Sequence, residues 1–385
     1  MAPQTALHPP AVNHDHDQRC MRDALQLATR AIGLCEPNPR VGCVLTSSDG
    51  TVIGTGHTQE AGAAHAEIMA LRDAAARGQD TRGATAYVTL EPCAHQGRTG
   101  PCCDALAAAG ITRVVAALTD PNPLVAGQGF ERLRAAGARI EVGLLADEAR
   151  EINLGFFSRM QRKTPWVRLK VAASLDGRTA LDNGASQWIT SEPARADGHA
   201  WRARAGALLT GIGTVRDDNP RLDVRLAPCP RQPPLVLVDS RLETPPDAQL
   251  FLPGRPVWIY AAMADAPRAL ALTARGAVLH QMPGTGPGTE GKVDLRALMA
   301  DLARQGVNEL HVEAGHKLNG SLLREGLVDE LLVYLAPRLI GQGRDMAAFG
   351  PLERLADALP LEFLSSTMVG PDLRLIARIQ GRSRF

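Results

Sequence analysis

The chain of 385 residues has no apolar stretch near the about 20 residues that a bilayer-crossing helix needs. Its opening, MAPQTALHPPAVNHDHDQRC, lacks the apolar core of a secretory signal. Neither a membrane protein nor a secreted one is expected, and the cytoplasm is the expected location. Neither sign of charge is in excess: 42 Lys and Arg stand against 41 Asp and Glu. That balance gives no general pull toward nucleic acid or anionic membrane, so neither is expected as a partner. Seven cysteines, an odd number without a signal, argue against a disulfide framework. Internal repeats are absent too. What is present is 45% apolar residues, enough for cores, and a length suggesting two domains of about 100 to 200 residues. The Pro- and His-rich N-terminus, with His8, His14 and His16, reads as frayed.

Strand and helix patterns alternate along the chain, implying βαβ units and an α/β fold. VGCVLTSSDGTVIGTGH (41–57) reads as a hairpin. Helices follow at 66–78, 102–110 and 127–137, and strands at 84–90, 113–118 and 139–145. The first domain is set at 16–147. Residues 148–165 read as a short helix and a turn, and a second domain as 165–380. There, strands are expected at 166–174, 207–215, 234–240, 256–262, 308–315 and 329–337. Helices are expected at 191–206, 293–306 and 317–326, the first capped by Ser191, and 283–292 reads as loop.

Two stretches carry chemistry. GAAHAEIMAL places His65 at a helix start with Glu67 two residues on, and EPCAHQGRTGPCC places Cys93 after a strand and Cys102 behind Pro101. Proline suits the first helical turn, and a helix N-terminus lowers a thiol's pKa, so Cys102 is expected to tend toward thiolate. Helix starts and strand ends on one side of a sheet converge where open α/β sheets bind ligands. One His and two Cys leave the fourth position of zinc open, which is the catalytic arrangement. Closed structural zinc and a disulfide are the competing readings. Glu67, no ligand, would move a proton from zinc-activated water to a leaving amine. H-x-E with P-C-x-x-C is the zinc deaminase signature; here eight residues separate the cysteines. Cys20, Cys35, Cys43, Cys103 and Cys229 read as ordinary thiols.

NPRVGCV, GHTQEAGAAHAE, LEPCAHQGRTGPCCDALAAAGITRVV and DPNPLVAGQGFERLRAAG resemble the deaminase domain of the bifunctional riboflavin-biosynthesis deaminase–reductases. The longer loop between the cysteines belongs to that family's pattern, while Ala94 and Gly100 differ from its usual Ser and Pro. The resemblance implies a cytidine-deaminase-like α/β/α domain acting by zinc hydroxide. Its substrate would be a phosphoribosylaminopyrimidine, 2,5-diamino-6-(5-phosphoribosylamino)pyrimidin-4-one. Asn38 would read the ring, and Arg98 and Thr99 would hold the phosphate. His57 and His95 are open between site and structural roles.

The second half has no G-x-G-x-x-G after a strand, so its residues alone reach only an α/β ligand-binding domain. LKVAASLDGRTA, GASQWITSEPAR, LLTGIGTVRDDNPRLDVR, HVEAGHKLNGSLL and GLVDELLVYLAPRLIG resemble the same family's reductase domain, similar in fold to dihydrofolate reductase. That implies NADPH-dependent reduction of the ribose of 5-amino-6-(5-phosphoribosylamino)uracil to the ribitylamino product. NADPH would meet Ala172, Trp188, Thr214, Asp218, Ser240 and the turn of Gly315, His316, Lys317, Leu318, Asn319, Gly320 and Ser321. The substrate would meet Ser186, Arg202, Leu222, Arg225 and Glu313, with Lys170 and Asp176, in the LKVAASLDGR stretch, positioning the ribose. Asn219 stands where a second Asp is common, and Ala314 where a Gly is. The expected partners are these small molecules and further copies of the chain. A nucleoside or tRNA-editing deaminase, and a zinc-stabilised binding protein without catalysis, are the alternatives.

Overall fold

Residues 14–95, 100–123, 125–286 and 288–385 are described by the structure, a computed structural model. It divides into two units between Asn153 and Leu154.

In the first unit the elements are α1 (His14–Thr29), β1 (Gly42–Thr46), β2 (Val52–His57), α2 (Ala66–Ala76), β3 (Thr85–Val88), α3 (Cys102–Ala108), β4 (Arg113–Ala116), α4 (Gln128–Ala135), β5 (Arg139–Val142) and α5 (Ala146–Ile152). The sheet order is β2-β1-β3-β4-β5. β1 is antiparallel to both β2 and β3, and β3, β4 and β5 run parallel. Against the expectation of fraying, the chain is helical from His14. Asp17, 4% exposed, accepts from Tyr87 Oη at 2.6 Å and from both terminal nitrogens of Arg113 at 2.7 and 2.9 Å. Met21, Ala24 and Ala28 are wholly buried. Packing thus orders a segment whose composition alone favours disorder. His8 lies outside the described residues.

Glycine matters most beneath α2. A Cβ on Gly56 would lie 2.3 Å from the Ala66 carbonyl oxygen, and one on Gly54 2.3 Å from that of Ala70. The helix backbone therefore rests directly on β2, which fixes the height of its N-terminus, where His65 and Glu67 sit.

The second unit comprises α6 (Leu154–Gln161), β6 (Trp166–Ser174), β7 (Arg178–Ala180), α7 (Glu192–Ala203), β8 (Ala207–Gly211), α8 (Ile212–Asp218), β9 (Leu235–Val238), β10 (Val257–Ala261), α9 (Ala266–Thr273), β11 (Ala277–Gln281), α10 (Leu295–Arg304), β12 (Glu309–Val312), α11 (His316–Arg324), β13 (Glu330–Ala336), β14 (Arg344–Asp345), β15 (Leu361–Val369) and β16 (Asp372–Ile379). One sheet has the order β11-β10-β9-β8-β12-β6-β13-β16-β15, and β14 pairs with β7 apart from it. The strands from β11 to β13 run parallel, while β16 and β15 are antiparallel. The 207–215 strand expectation is corrected: β8 stops at Gly211 and α8 begins at Ile212. α9 and β11 went unread, and the unassigned C-terminal residues form the β15–β16 edge. Ser191 does cap α7, but its hydroxyl donates to Asp372 at 2.6 Å instead of accepting from the helix.

β6 alternates, with Val167, Leu169, Val171 and Ala173 packed in one core. The other side chains of β6 share a face with Glu309, His311 and Glu313, because His311 pairs in register with Arg168. Arg168 is 3% exposed and bridges Glu309 at 3.0 Å and Glu330 at 2.6 Å. No helix in the described residues is long and apolar enough to cross a membrane.

Candidate active sites

His65 is the N-cap of α2, Cys93 follows β3 after Pro92, and Cys102 opens α3. Their donor atoms lie within 4.8 Å of one another. Nδ1 of His65 is 3.4 Å from Cys102 Sγ and 3.6 Å from Cys93 Sγ. Glu67, 3% exposed, closes the group. Burial first, and the Cys93 charge second, push its carboxyl up to about 7.

The two thiols are coupled to one another. The hydrogen bond from the Cys102 thiol, with those from His65 and the Cys102 N–H, pulls Cys93 down to about 4, while Cys93 and burial push Cys102 up. The reason is geometric. The first N–H of α3 points at Cys93 Sγ, 3.4 Å away, and not at the sulfur of its own residue. Two thiols and a buried carboxyl meet one imidazole here, and both thiols can ionise together only beside a cation. One nitrogen and two sulfurs, with a carboxyl free of ligation, fit a zinc ion with an open position.

Glu91, unassigned from the sequence, organises this end of the sheet. Its carboxylate accepts backbone N–H groups of Gly127 and Gly129 at 2.9 Å, Asp120 at 3.2 Å and Phe130 at 3.4 Å. It thereby ties the start of α4 to the Pro92–Cys93 turn. Cys103 is buried with its thiol on Asp104 at 3.4 Å. None of the seven cysteines is in a disulfide. Asn38 lies half-exposed in the loop between α1 and β1, His57 ends β2, and His95 is exposed. Arg98 and Thr99 lie outside the described residues.

In the second unit a cavity of about 1100 Å³ opens beside the carboxyl ends of β6, β8, β9 and β12. It is lined by Ala172, Trp188, Thr214, Asp218, Ser240 and the residues from Gly315 to Asn319, and also by Ser186, Arg202, Leu222, Arg225 and Glu313. Gly320 and Ser321 do not line it. Gly320 is turned into the chain, where a Cβ would meet Ala348 O at 2.2 Å, and Ser321 Oγ donates to Lys317 O one helical turn back. Gly315 caps α11 with no side-chain acceptor, so the first N–H groups of that nine-residue helix face the cavity, an arrangement that fits a pyrophosphate. Trp188 is 59% exposed, with the Arg195 guanidinium 4.6 Å from its ring. Asp218 accepts from Ser186 at 3.0 Å.

The wall opposite is charged. Arg202 grips both oxygens of Glu313, through Nε and through a terminal nitrogen at 2.9 Å, and donates to Asp223 O at 3.0 Å. Lys170 Nζ lies 3.5 Å from Glu313. Burial alone would raise the Glu313 carboxyl, but the charges of Arg202 and Lys170 hold it well below its ordinary range. Arg225 pairs with Asp223 and stays half-exposed. Asp176 accepts the N–H groups of Ile340 and Gly341. Asn219, at φ 41°, tolerates the left-handed turn after α8 and accepts from Gln249 N at 2.9 Å.

Residues 165–375 match the family described as RibD C-terminal domain, and residues 14–118 the cytidine and deoxycytidylate deaminase zinc-binding region. The riboflavin biosynthesis protein RibD of Escherichia coli (strain K12) is 44% identical over 372 residues, 93% of this chain and 98% of that one. The chain belongs to the RibD family of riboflavin-biosynthesis deaminase–reductases. A solved structure of Acinetobacter baumannii RibD is similar at 39% identity and a TM-score of 0.85, covering 96% of this chain and 100% of that one. Another, a diaminohydroxyphosphoribosylaminopyrimidine deaminase/5-amino-6-(5-phosphoribosylamino)uracil reductase from Thermotoga maritima, is 29% identical with a TM-score of 0.83, covering 95% and 99%. The two halves of the RibD family, a cytidine-deaminase-like unit and a dihydrofolate-reductase-like one, correspond to the two α/β units described above.

Proposed function

We propose that the first unit deaminates 2,5-diamino-6-(5-phosphoribosylamino)pyrimidin-4-one at zinc held by His65, Cys93 and Cys102. The second then reduces the ribose of 5-amino-6-(5-phosphoribosylamino)uracil with NADPH. The observation that carries the reading is the three convergent donors beside a buried, non-ligating Glu67, in a chain matching the family over both units.

Zinc in that donor set supplies the acidity that makes water a nucleophile near neutral pH. Glu67 accepts the water's proton on its carboxylate and returns it to the departing amine, a task suited to a carboxyl poised near 7. Asn38 reads the ring, and Arg98 and Thr99 take the phosphate. In the second unit NADPH supplies the hydride. The first N–H groups of α11 would hold its pyrophosphate, and Ala172, Trp188, Thr214, Asp218 and Ser240 would hold the rest of the cofactor. Ser186, Leu222, Arg202, Arg225 and Glu313 hold the sugar phosphate. Balanced charge and cysteines outside any disulfide support a cytoplasmic enzyme of small molecules. The exposed edge strand β15, with Phe363 and Met368 outward, supports association of copies, which light scattering tests.

Purified zinc-loaded protein is expected to release ammonia from the pyrimidinone whether or not NADPH is present. It should consume NADPH only once deamination has begun. No ammonia from the pyrimidinone, or ammonia from adenosine instead, refutes the reading.

A further inference from the structure

Arg255, just before β10, is 5% exposed. A buried guanidinium is costly unless its donors are engaged. This one donates to Leu222 O at 2.7 Å, to Arg221 O at 2.9 Å and to Leu250 O. Burial lowers its pKa to about 10, with the Asp223 charge opposing, so it stays charged at neutral pH. Leu222 is 6% exposed and has φ 48°, in the left-handed region that a leucine rarely adopts. In an extended chain successive carbonyls face opposite ways. The left-handed turn at Leu222 brings two of them to one side, where a single guanidinium reaches both.

The segment held in this way borders the cavity. It is neither helix nor strand, and side chains bind its successive carbonyls. Arg255 takes those of Arg221 and Leu222, Arg202 that of Asp223 at 3.0 Å, and Gln232 that of Val224 at 2.8 Å. Leu222 and Arg225 line the cavity, whereas Arg255 does not. Arg255 can therefore act on a ligand there only through the backbone it holds. We propose that Arg255 is a positioning residue for the reductase step, holding the Arg221–Leu222 backbone in the form that presents Leu222 and Arg225 to the sugar phosphate. This rests on the reductase reading above. Without the clamp Leu222 relaxes to a commoner conformation, and the substrate must restore the strained one on binding.

The test compares Arg255→Met and Arg255→Lys with the wild type. NADPH oxidation is measured with pre-deaminated substrate, alongside NADPH affinity by fluorescence and thermal stability. R255M, which has no donor, is expected to raise KM for the sugar phosphate about five- to a hundredfold, the range set by the cost of a non-glycine left-handed residue. NADPH affinity should be unchanged. R255K keeps the charge but brings one nitrogen where the guanidinium brings a fork, so its KM should fall between. An unchanged KM in R255M, or a rise that NADPH affinity shares, overturns the inference. If R255M does not fold, R255K decides: a raised KM for the sugar phosphate alone supports the inference, and a wild-type KM or a shared loss overturns it. Failure of both variants to fold assigns Arg255 to the fold as a whole and overturns it too. A wild-type protein that oxidises no NADPH overturns the reductase reading and the inference with it.

Discussion

Arg202→Ala removes one partner of an ion pair whose side chains are only 15% and 14% exposed. Glu313 would keep Lys170 at 3.5 Å but lose both close contacts. Breaking a buried pair from one side costs about 3 to 5 kcal/mol, because the remaining charge stays desolvated. For a unit of this size that lowers Tm by about 6 to 20 °C. The pH dependence should change as well. In the wild type the Glu313 carboxyl is depressed, so its stabilisation is present above about 4.5, the unfolded value, and is lost only as pH falls further. In R202A burial dominates and the carboxyl rises, so lowering pH from 7 to 5 should stabilise the variant and leave this contribution to the wild type unaltered. R202A/E313Q, which removes the stranded carboxylate and leaves only the partly exposed Lys170 without its partner, should recover part of the stability and none of the activity. Calorimetry between pH 5 and 7 measures all three proteins. An R202A Tm within about 2 °C of wild type at pH 7, or one that falls on acidification, refutes the reasoning. In kinetics, R202A should raise KM for the phosphorylated substrate by about ten- to a hundredfold while KM for NADPH holds.

Glu67→Gln should retain zinc and lose at least about 100-fold in deamination, up to about 10,000-fold, with reduction of pre-deaminated substrate intact; zinc loss or retained turnover counts against its role. Cys102→Ser and Cys93→Ser should each lose tightly bound zinc by metal analysis, whereas Cys103→Ser, whose thiol sits on Asp104, should keep it. Gly56→Ala puts a methyl 2.3 Å from the Ala66 carbonyl, so α2 must lift; about 1 to 3 kcal/mol of lost stability is expected, with weaker zinc binding in a competition assay against a chromophoric chelator.

The convergence of His65, Cys93 and Cys102 was legible because its signal is local. HAE and PC lie on a helix start and a strand end that turn residues mark, and ligand identity depends on residue type. The contact between α3 and Cys93 was not legible. It depends on a backbone N–H of α3 aimed across space at Cys93, a direction that spacing does not encode. The N-terminal helix was missed for a related reason. HDHD is polar by composition, yet Asp17 becomes helical by pairing with Arg113, far along the chain.

In the second unit, alternation in WVRLKVAAS marked a strand, and with it the side of β6 that carries Arg168 and Lys170. Resemblance supplied the cavity residues, but only the fold could say which of them reach it. Gly320 and Ser321 lie one turn beyond His316 and Lys317 on the same faces of α11, and leave the cavity because the helix rises about 1.5 Å per residue away from it. Only the tertiary structure revealed that Arg202 is already held by Glu313, 111 residues away. Local pattern determines which face a side chain takes, since strand and helix periods are properties of the backbone. Partners across strands and helices are decided by packing, because register and crossover bring together groups whose separation along the chain carries no record of the contact.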